Sequence, residues 1–392
     1  IVEGGLARRA GGGWRAFARP AGAEEHLRGR VLLRLSSPPP DAGTVLVVRG
    51  TLRDPAGADA PGWWRRYLAR NGVAAALTPT RMAVVGHRGG PAGVRDAAGR
   101  ALRSRIRSVA PGDAGAIVAG IALGADERLT TRTRDAFRDS GIAHLLAVSG
   151  QNVGLVALCT VLVLVAAGAP RGPALAAAAA AIVAYVLLCE PGASVGRAAV
   201  VGLVGVAAEA TSRPAHRWYA LLVALVVLLA WQPRAIGDAG LLLSFSAVAG
   251  LLALTAPFTA VLRGRLPRAL GAGVAVSAAA TLATAPVVVA LFGRLSLAGL
   301  VVNLVAVPLA AVVLVAGLAG ALLAAAAGPA GLPALWVAAG GAEILRWTAV
   351  TGAAVPGAAV ELPPWSAPVA ALPVLACLVW AARRGRVDDR GV

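Results

Sequence analysis

Long apolar segments alternate with short polar ones over the last two thirds of the chain. From residue 141 onward, mostly apolar segments are separated by short loops rich in Gly, Pro and Arg. Nine such segments can be delimited, approximately 141–168, 174–189, 193–210, 215–231, 239–257, 269–292, 299–325, 333–352 and 366–382. Because an apolar helix of about 20 residues crosses a bilayer, residues 141–382 are predicted to form a polytopic helical membrane domain with about nine spans.

A different pattern precedes this region. Short strand-like runs are broken by Pro and Gly, at 30–35, 44–53, 73–77 and 81–86, and a short helix is expected around 63–68. This predicts a small five-stranded β-barrel over residues 29–90. Residues 1–28 are rich in Gly, Ala and Arg and have little periodicity, which predicts a linker or fragment edge.

Residues 91–140 are predicted to form an amphipathic basic helix and a connector. Between 94 and 109 the apolar positions follow a helical period. The other face carries arginines, namely Arg95, Arg100, Arg103, Arg105 and Arg107. This face is either solvated or a surface for acidic headgroups or nucleic acid.

Composition and charge exclude an ordinary soluble domain. Of the 392 residues, 58% are hydrophobic and 14% charged, whereas soluble domains are about a quarter charged. The net charge is +18, and residues 1–140 hold 23 of the 37 basic residues.

Arginines are also distributed unevenly between the loops. One set of alternate loops, with the tail 383–392, holds ten arginines, and the other set holds two. The positive-inside rule then places the C-terminus in the cytoplasm and the basic N-terminal domain outside. This arrangement favours the import of something acidic.

Polar residues open the first predicted span. They are His144, Ser149, Gly150, Gln151 and Asn152. Polar groups at membrane depth are costly unless they face a partner or a water-filled cavity. The segment is predicted to be a broken or kinked helix that lines a pathway, with close helix packing as the alternative.

Two further segments place polar residues near span ends. Arg197 needs a partner, for which Glu190, Glu209 and Asp238 are candidates, and it serves either a structural ion pair or a phosphate contact. Asp238 is expected to cap a helix and fix the fold, and Ser244 is expected to be a structural packing residue.

A third segment contains Arg294, a second candidate phosphate contact, followed by Asn303 and Pro308. Asn with Pro in one span is typical of a discontinuous helix at a transport site. One interhelical hydrogen bond with a kink is the alternative.

Chemistry-bearing motifs do not stand out. No Walker A loop, metal-ligand set or nucleophile elbow is found in the sequence, and Cys159, Cys189 and Cys377 lie in apolar runs. We therefore expect neither catalytic nor metal-binding residues, no cofactor and no enzymatic activity.

Four motifs occur in one order over about 190 residues and together resemble the ComEC family of competence membrane proteins. They are GIALG with FRDSGIAHLLAVSG (120–150), ASVGRA (193–198), DAG with LSFSAVAG (238–250), and FGRLS (292–296) leading to Asn303 and Pro308. Members often have Leu-His where this chain has Gln151-Asn152, so no role of that His is carried over.

The resemblance implies a channel that takes single-stranded DNA across the cytoplasmic membrane in natural transformation, together with other competence proteins such as a DNA receptor and a cytoplasmic motor ATPase. A homo-oligomer is also compatible with it. The segment WWRRYLARNG is similar to the family's extracellular OB-like domain. Stacking or backbone contacts with DNA would fall to Trp63, Trp64, Arg65, Arg66, Tyr67 and Arg70, with the Trp residues alternatively in the core.

Many members also carry a C-terminal metallo-β-lactamase-like domain. The sequence to Val392 does not contain one, so no nuclease activity is expected. Two other functions stay open: a transporter of a smaller anionic solute or lipid, and a membrane scaffold without a transport role.

Overall fold

The structure is a computed structural model that divides into two compact units. It describes residues 1–6, 13–21, 29–57, 64–65, 68–69, 71–126, 128–189, 193–210, 217–231 and 233–388. The first unit comprises Ile1–Thr131, Leu187–Pro191 and Val313–Gly340, and the second comprises Arg132–Val186, Gly192–Val312 and Gly341–Val392.

A curled five-stranded sheet, a half-barrel, forms the N-terminal part of the first unit. Its strands are β1 (Val2–Leu6), β2 (Trp14–Ala18), β3 (Arg30–Leu35), β4 (Thr44–Arg53) and β5 (Val73–His87). The spatial order is β1-β2-β3-β5-β4, with β3 and β5 parallel and the other pairs antiparallel. The predicted small N-terminal β structure is thereby confirmed at the level of a curled sheet.

The linker predicted over residues 1–28 is wrong where β1 and β2 lie. Val2 and Ala16 are fully buried, and β2 pairs along its length with β3. Gly and Arg dilute the alternating pattern here, so these strands are stabilised by long-range pairing that local periodicity does not report.

Two separate strands were expected at 73–77 and 81–86, but β5 is continuous. Pro79 lies opposite Gly50, next to a register shift between Arg49 and Gly50. A bulge accommodates a residue that cannot donate to the ladder.

Helix α1 (Gly90–Val109) buries only part of the predicted apolar face, with Leu102 and Ile106 buried. Val94 is 72% exposed, whereas Asp96 and Arg103 are buried. Asp96 Oδ1 accepts from Arg88 Nη2 at 3.0 Å and from Arg95 Nη2 at 3.1 Å. Arginine pairing decides which side of this helix is covered.

The other arginines of α1 also contact residues of the first unit. Arg100 Nη1 donates to the Ala42 carbonyl at 3.0 Å, and Arg103 and Arg107 lie 3.8 and 3.7 Å from the Asp41 carboxylate. Most of the expected basic face therefore contacts protein, and Arg105 is the exposed exception among the five arginines.

The remaining helices follow the predicted apolar segments, preceded by two shorter ones. They are α2 (Gly112–Leu123), α3 (Thr131–Asp139), α4 (Gly150–Ala166), α5 (Arg171–Leu188), α6 (Ala193–Ala210), α7 (Arg217–Trp231), α8 (Ala239–Leu262), α9 (Arg268–Phe292), α10 (Gly299–Ala327), α11 (Leu332–Ala354) and α12 (Ala367–Asp388). Two short strands, β6 (Arg294–Ser296) and β7 (Ala359–Glu361), pair with each other in antiparallel fashion.

Helix α2 is an apolar element that sequence analysis did not single out. Residues 114–123 are all buried. A Cβ at Gly317 of α10 would lie 2.8 Å from Val118 Cγ1, so the two helices approach closely there. An apolar helix of this length is typical of a buried core helix.

Within the described residues, five helical stretches are long and apolar enough to cross a membrane. They are Arg171–Leu188, Ala239–Leu262, Arg268–Phe292, Gly299–Ala354 and Pro364–Ala381. The helical, multi-pass membrane character is thus confirmed. The number of about nine crossings stays a prediction, since α4 and α7 are apolar but shorter.

Candidate functional site

Arg197 and Asp238 form an ion pair between α6 and the start of α8. Arg197 Nη1 lies 2.9 Å from Asp238 Oδ1, and the two side chains are 10% and 42% exposed. The same carboxylate oxygen accepts from the Leu241 backbone N–H at 3.0 Å and so caps α8. One carboxylate therefore both holds a buried guanidinium and begins a helix.

Gly240 makes room for this pair. A Cβ at this position would clash with Arg197 Nη2. The Asp-Ala-Gly motif thus combines a cap with the space that a neighbouring arginine occupies. Of the two roles proposed for Arg197, the geometry supports the structural ion pair, because a phosphate would have to replace Asp238.

The other candidate partners are engaged differently or lie outside the described residues. Glu209 pairs with Arg171 at an exposed position, and Glu190 is outside the part of the chain that the structure describes. Ser244 is exposed on α8, so the packing contact expected of it is not seen.

Arg294 also has a carboxylate partner. Its Nη2 lies 3.2 Å from Asp139 Oδ1, with both side chains about one-third exposed. The Ser296 hydroxyl lies 2.9 Å from the Asp139 carbonyl and accepts from the Gly299 N–H at 3.2 Å. The FGRLS motif is therefore attached to the C-terminal end of α3.

Glycines allow this junction to close. Gly141 has φ +80°, and a Cβ there would lie 2.8 Å from Ser296 Oγ and 2.9 Å from Gly299 Cα. A residue with a side chain would be both strained and crowded at this position. The DSG and FGRLS motifs thus meet at a backbone contact.

The polar segment before α4 is interrupted, as its residues predicted. A short 3₁₀ turn at Ala143–Leu146 is followed by extended residues before α4 begins at Gly150. His144 and Gly150 are exposed, and Asn152 is buried. Ser149 Oγ donates to Asn152 Oδ1 at 3.1 Å, so two of the predicted pathway residues contact each other.

Helix α10 does not break at Pro308, contrary to the discontinuous helix expected there. It runs unbroken from Gly299 to Ala327. Pro308 removes one ladder donor, yet the apolar surroundings keep the remaining hydrogen bonds within the helix. Asn303 is half-buried, and its Oδ1 is buried without a hydrogen-bond partner among the described residues.

Two of the six residues proposed for DNA contact at the sheet are described. Trp64 packs against the buried cluster of Leu32, Leu68, Val73 and Ala76, and the Arg15 guanidinium lies 4.6 Å from its ring centre. This favours the core alternative for Trp64. Arg65 is exposed, whereas Trp63, Arg66, Tyr67 and Arg70 lie outside the described residues.

Sequence analysis missed Asp139 and the glycine contacts as functional features. Asp139 and Arg294 are far apart in sequence, so their pairing follows from the fold. The clustering of Gly, Ser and charged residues at helix ends was the feature of the sequence that could have indicated these contacts. In the part of the chain that the structure describes, no group of three or more His, Cys, Asp or Glu residues could hold a metal ion.

Comparisons with known proteins agree with the motifs. Residues 121–386 match the family model described as competence protein. The chain is 27% identical over 205 residues to ComE operon protein 3 of Bacillus subtilis (strain 168), an alignment that covers 52% of this chain and 26% of that protein. No solved structure matches. Since the family model covers both the motif clusters and the long apolar helices, this chain belongs to the competence protein family.

Proposed function

We propose that this chain is part of a membrane channel through which single-stranded DNA enters the cell during natural transformation. The observation that carries the proposal is the competence-family match over residues 121–386. That range contains all five stretches of the described residues that are long and apolar enough to cross a membrane. The chain spans about a quarter of its curated relative, so the activity of the whole protein is proposed here.

The interrupted segment before α4 is the proposed lining of the passage. Polar groups at membrane depth are stable when they face water or one another. His144, Ser149, Gly150 and Asn152 lie in this segment, and Asn303 supplies a further amide whose oxygen has no partner among the described residues. Pro308 lies on the same helix as Asn303. Hydrated polar side chains would let a phosphate backbone pass without crossing lipid.

Arg197 and Arg294 are proposed to keep the passage in shape, with phosphate contact as a secondary role. Each has a carboxylate within 3.2 Å. Paired guanidiniums offer a passing phosphate less attraction than free ones, which avoids trapping a polyanion. Transport requires binding weak enough to allow release.

The N-terminal sheet is proposed to be an OB-like module outside the cell that receives DNA. The order β1-β2-β3-β5-β4 with a parallel β3–β5 pair supports a partly open five-stranded barrel. The excess of arginine in residues 1–140 supports a salt-dependent attraction for DNA. The uneven distribution of arginines between the loops supports a cytoplasmic position for the C-terminal tail.

The channel is proposed to be non-enzymatic and to work without a cofactor. Energy would come from a partner, a motor ATPase on the cytoplasmic side, and DNA would be delivered by a receptor. A homo-oligomer is compatible with this arrangement. The chain's own contribution is a hydrated route and a basic receiving surface.

Uptake of labelled DNA in the host tests the proposal. Cells with the gene deleted should accumulate no nuclease-protected DNA inside, and restoring the intact gene should recover it. Normal internal DNA in the deletion strain would overturn the proposal. Loss of transport of a small anionic solute, with DNA uptake intact, would favour the transporter alternative.

A further inference from the structure

Helix α11 carries an exposed ion pair within a stretch that is apolar enough to cross a membrane. Arg346 Nε lies 2.7 Å from Glu343 Oε2, and the two side chains are 41% and 50% exposed. Among the described residues neither has another ion-pair partner. The two charges therefore lie on a helix surface that the rest of the described chain leaves uncovered.

The other side of α11 is packed within the second unit. Ala342, Leu345 and Ala349 are fully buried, and a Cβ at Gly352 would lie 2.7 Å from Val302 Cγ2 on α10. These α11 positions recur at intervals of three and four residues, which is the spacing of one side of a helix. Since this side already packs against protein, the side that carries the ion pair is the one open to the surroundings.

The ion pair lies in the middle of its helix. Helix α11 has 23 residues, of which Glu343 is the twelfth, and it belongs to the apolar stretch Gly299–Ala354. A helix of this length is about 34 Å long, which is close to the roughly 30 Å hydrocarbon thickness of a bilayer. Charged groups at such a depth are costly in lipid and face protein or water instead. Something other than lipid is therefore needed to cover this pair.

The guanidinium also has donors that the chain itself does not use. Arg346 donates to Glu343 through Nε, and among the described residues its two Nη groups have no hydrogen-bond partner. Unsatisfied N–H groups in hydrocarbon cost free energy. A second carboxylate facing this side of α11 would accept from these groups.

The charges on this side of α11 fit a second copy of the chain. Glu343 and Arg346 have opposite signs and lie three residues apart, so the surface is neutral as a whole and complementary to itself. Two copies inserted in the same direction pair around a twofold axis along the membrane normal, which sets the two α11 helices side by side and parallel. Glu343 of one copy then differs in height from Arg346 of the second copy by about 4.5 Å, within reach of these long side chains. Twofold pairs in which a surface meets itself are the commonest oligomers.

We propose that two copies of this chain associate in the membrane through α11, with Glu343 and Arg346 of each copy joined in one network of four charges. Trp347, which is 65% exposed and lies one turn after Glu343, would pack beside the network. The inference depends on α11 crossing the membrane. It does not depend on DNA transport, because a chain that moved no DNA would pair in the same way.

Cysteine crosslinking of the full chain in cell membranes tests the proposal. The parent variant has Cys159, Cys189 and Cys377 replaced by Ala, and Trp347→Cys is added to it. The matched control is Leu372→Cys on α12, a position that is 60% exposed. Low expression limits chance collisions between copies. A short thiol-to-thiol crosslinker should give a covalent dimer with Trp347→Cys and only monomer with Leu372→Cys.

Charge reversal in the Trp347→Cys background tests whether the ion pair holds the copies together. Glu343→Arg gives each copy two positive charges on this surface, and Arg346→Glu gives each copy two negative charges. Each variant alone should lower the crosslinked fraction about tenfold or more, because like charges facing each other across an interface are strongly unfavourable. Co-expression of the two variants should restore a dimer with one copy of each, since opposite charges then face each other. Arg132→Glu, at an exposed position on α3, should leave crosslinking unchanged.

Three outcomes would overturn the proposal. The first is equal crosslinking at positions 347 and 372, and the second is a dimer that survives either charge reversal. The third is a failure of co-expression to restore the dimer while both variants accumulate in the membrane, which would show that the charges pair only within one helix.

A neutral variant keeps the test decisive if the charge-reversed chains do not accumulate. Glu343→Leu with Arg346→Leu places no charge in the membrane and should lose the dimer, and a dimer that persists in this variant would also overturn the proposal. DNA uptake by the same cells is a separate readout. Failure of pairing and failure of the proposed function are therefore distinguishable.

Discussion

At the residue scale, Asp238 has two separable tasks, holding Arg197 and capping α8. Asp238→Ala removes both and leaves a largely buried guanidinium unpaired, so we expect a loss of about 3 kcal/mol in unfolding free energy. Asp238→Asn keeps a good cap and should be about 1 kcal/mol less harmful. Thermal unfolding of the full chain in detergent measures both.

The Arg171–Glu209 pair provides the control for this comparison. Its side chains are mostly exposed, so Arg171→Ala should cost less than about 1 kcal/mol. Equal destabilisation by Asp238→Ala and Arg171→Ala would contradict the role given to the buried pair.

Gly240 is expected to act mainly through Arg197, since an added Cβ would lie 3.1 Å from Asp238 Oδ1 but would overlap Arg197 Nη2. Gly240→Ala places a methyl group where Arg197 Nη2 lies, and the guanidinium must leave Asp238 to avoid it. The substitution should therefore be destabilising in the natural chain and nearly neutral in an Arg197→Ala background, the coupling that a double-mutant cycle measures.

Gly196, next to Arg197 on α6, has open space around it. Gly196→Ala should be neutral or slightly stabilising because Ala favours helix. If Gly240→Ala is equally harmful with and without Arg197, the clash is not with this side chain.

At the element scale, the junction of α3 with β6 and α10 depends on Gly141. Gly141→Ala adds a side chain at φ +80° and crowds Ser296 and Gly299. Gly168→Ala meets the same backbone cost at φ +86° but has open space. We expect Gly168→Ala to lower the unfolding free energy by about 1 kcal/mol and Gly141→Ala to lower it by about 1–3 kcal/mol more. Similar unfolding temperatures for the two variants would rule out a close-packed junction.

The attachment of α1 to the sheet is expected to depend on pH. Burial alone would raise the pKa of Asp96, but hydrogen bonds from Arg88 and Arg95 outweigh it and hold this pKa below its usual range. The carboxylate therefore contributes stability above the unfolded pKa of about 3.9, and this contribution is lost as pH falls through the lower, folded pKa.

Hydrogen exchange of residues 90–109 in the full chain measures this effect. Asp96→Asn should speed the exchange of backbone amides in this helix at pH 7. The difference in exchange rate between this variant and the natural chain should shrink below about pH 4. Asp135→Asn, at an exposed carboxylate, should show no such trend. A difference that persists unchanged into strong acid would show that charge is not the cause.

Elements with strong local signals could be predicted from the sequence, and those set by distant pairing could not. The length and hydropathy of the long apolar segments predicted α5 and α8–α12. Strand β2 depends on pairing with β3. The buried face of α1 was predicted only in part, because Asp96 and Arg103 are buried beside Leu102 and Ile106. Hydrophobic periodicity does not account for buried ion pairs.

The candidate site divides in the same way. The position of Asp238 before an apolar run predicted that it caps a helix. Its pairing with Arg197 was one of three alternatives. Asp139 and Arg294 are far apart in sequence, so no local pattern predicts that they pair. The continuity of α10 through Pro308 reflects tertiary surroundings, which a single proline in a sequence does not report.

At the scale of the whole molecule, DNA is proposed to pass beside the polar side chains of the second unit, away from its lipid-facing surfaces. Photo-crosslinking of labelled single-stranded DNA during uptake tests it most directly. A photoreactive residue is placed at Asn303, at Asn152 or, as the matched control on the same helix as Asn303, at Val301, which is 68% exposed. DNA should attach at Asn303 and at Asn152, and not at Val301. Attachment at Val301 as strong as at Asn303, or none at Asn303 while uptake proceeds, would contradict the account.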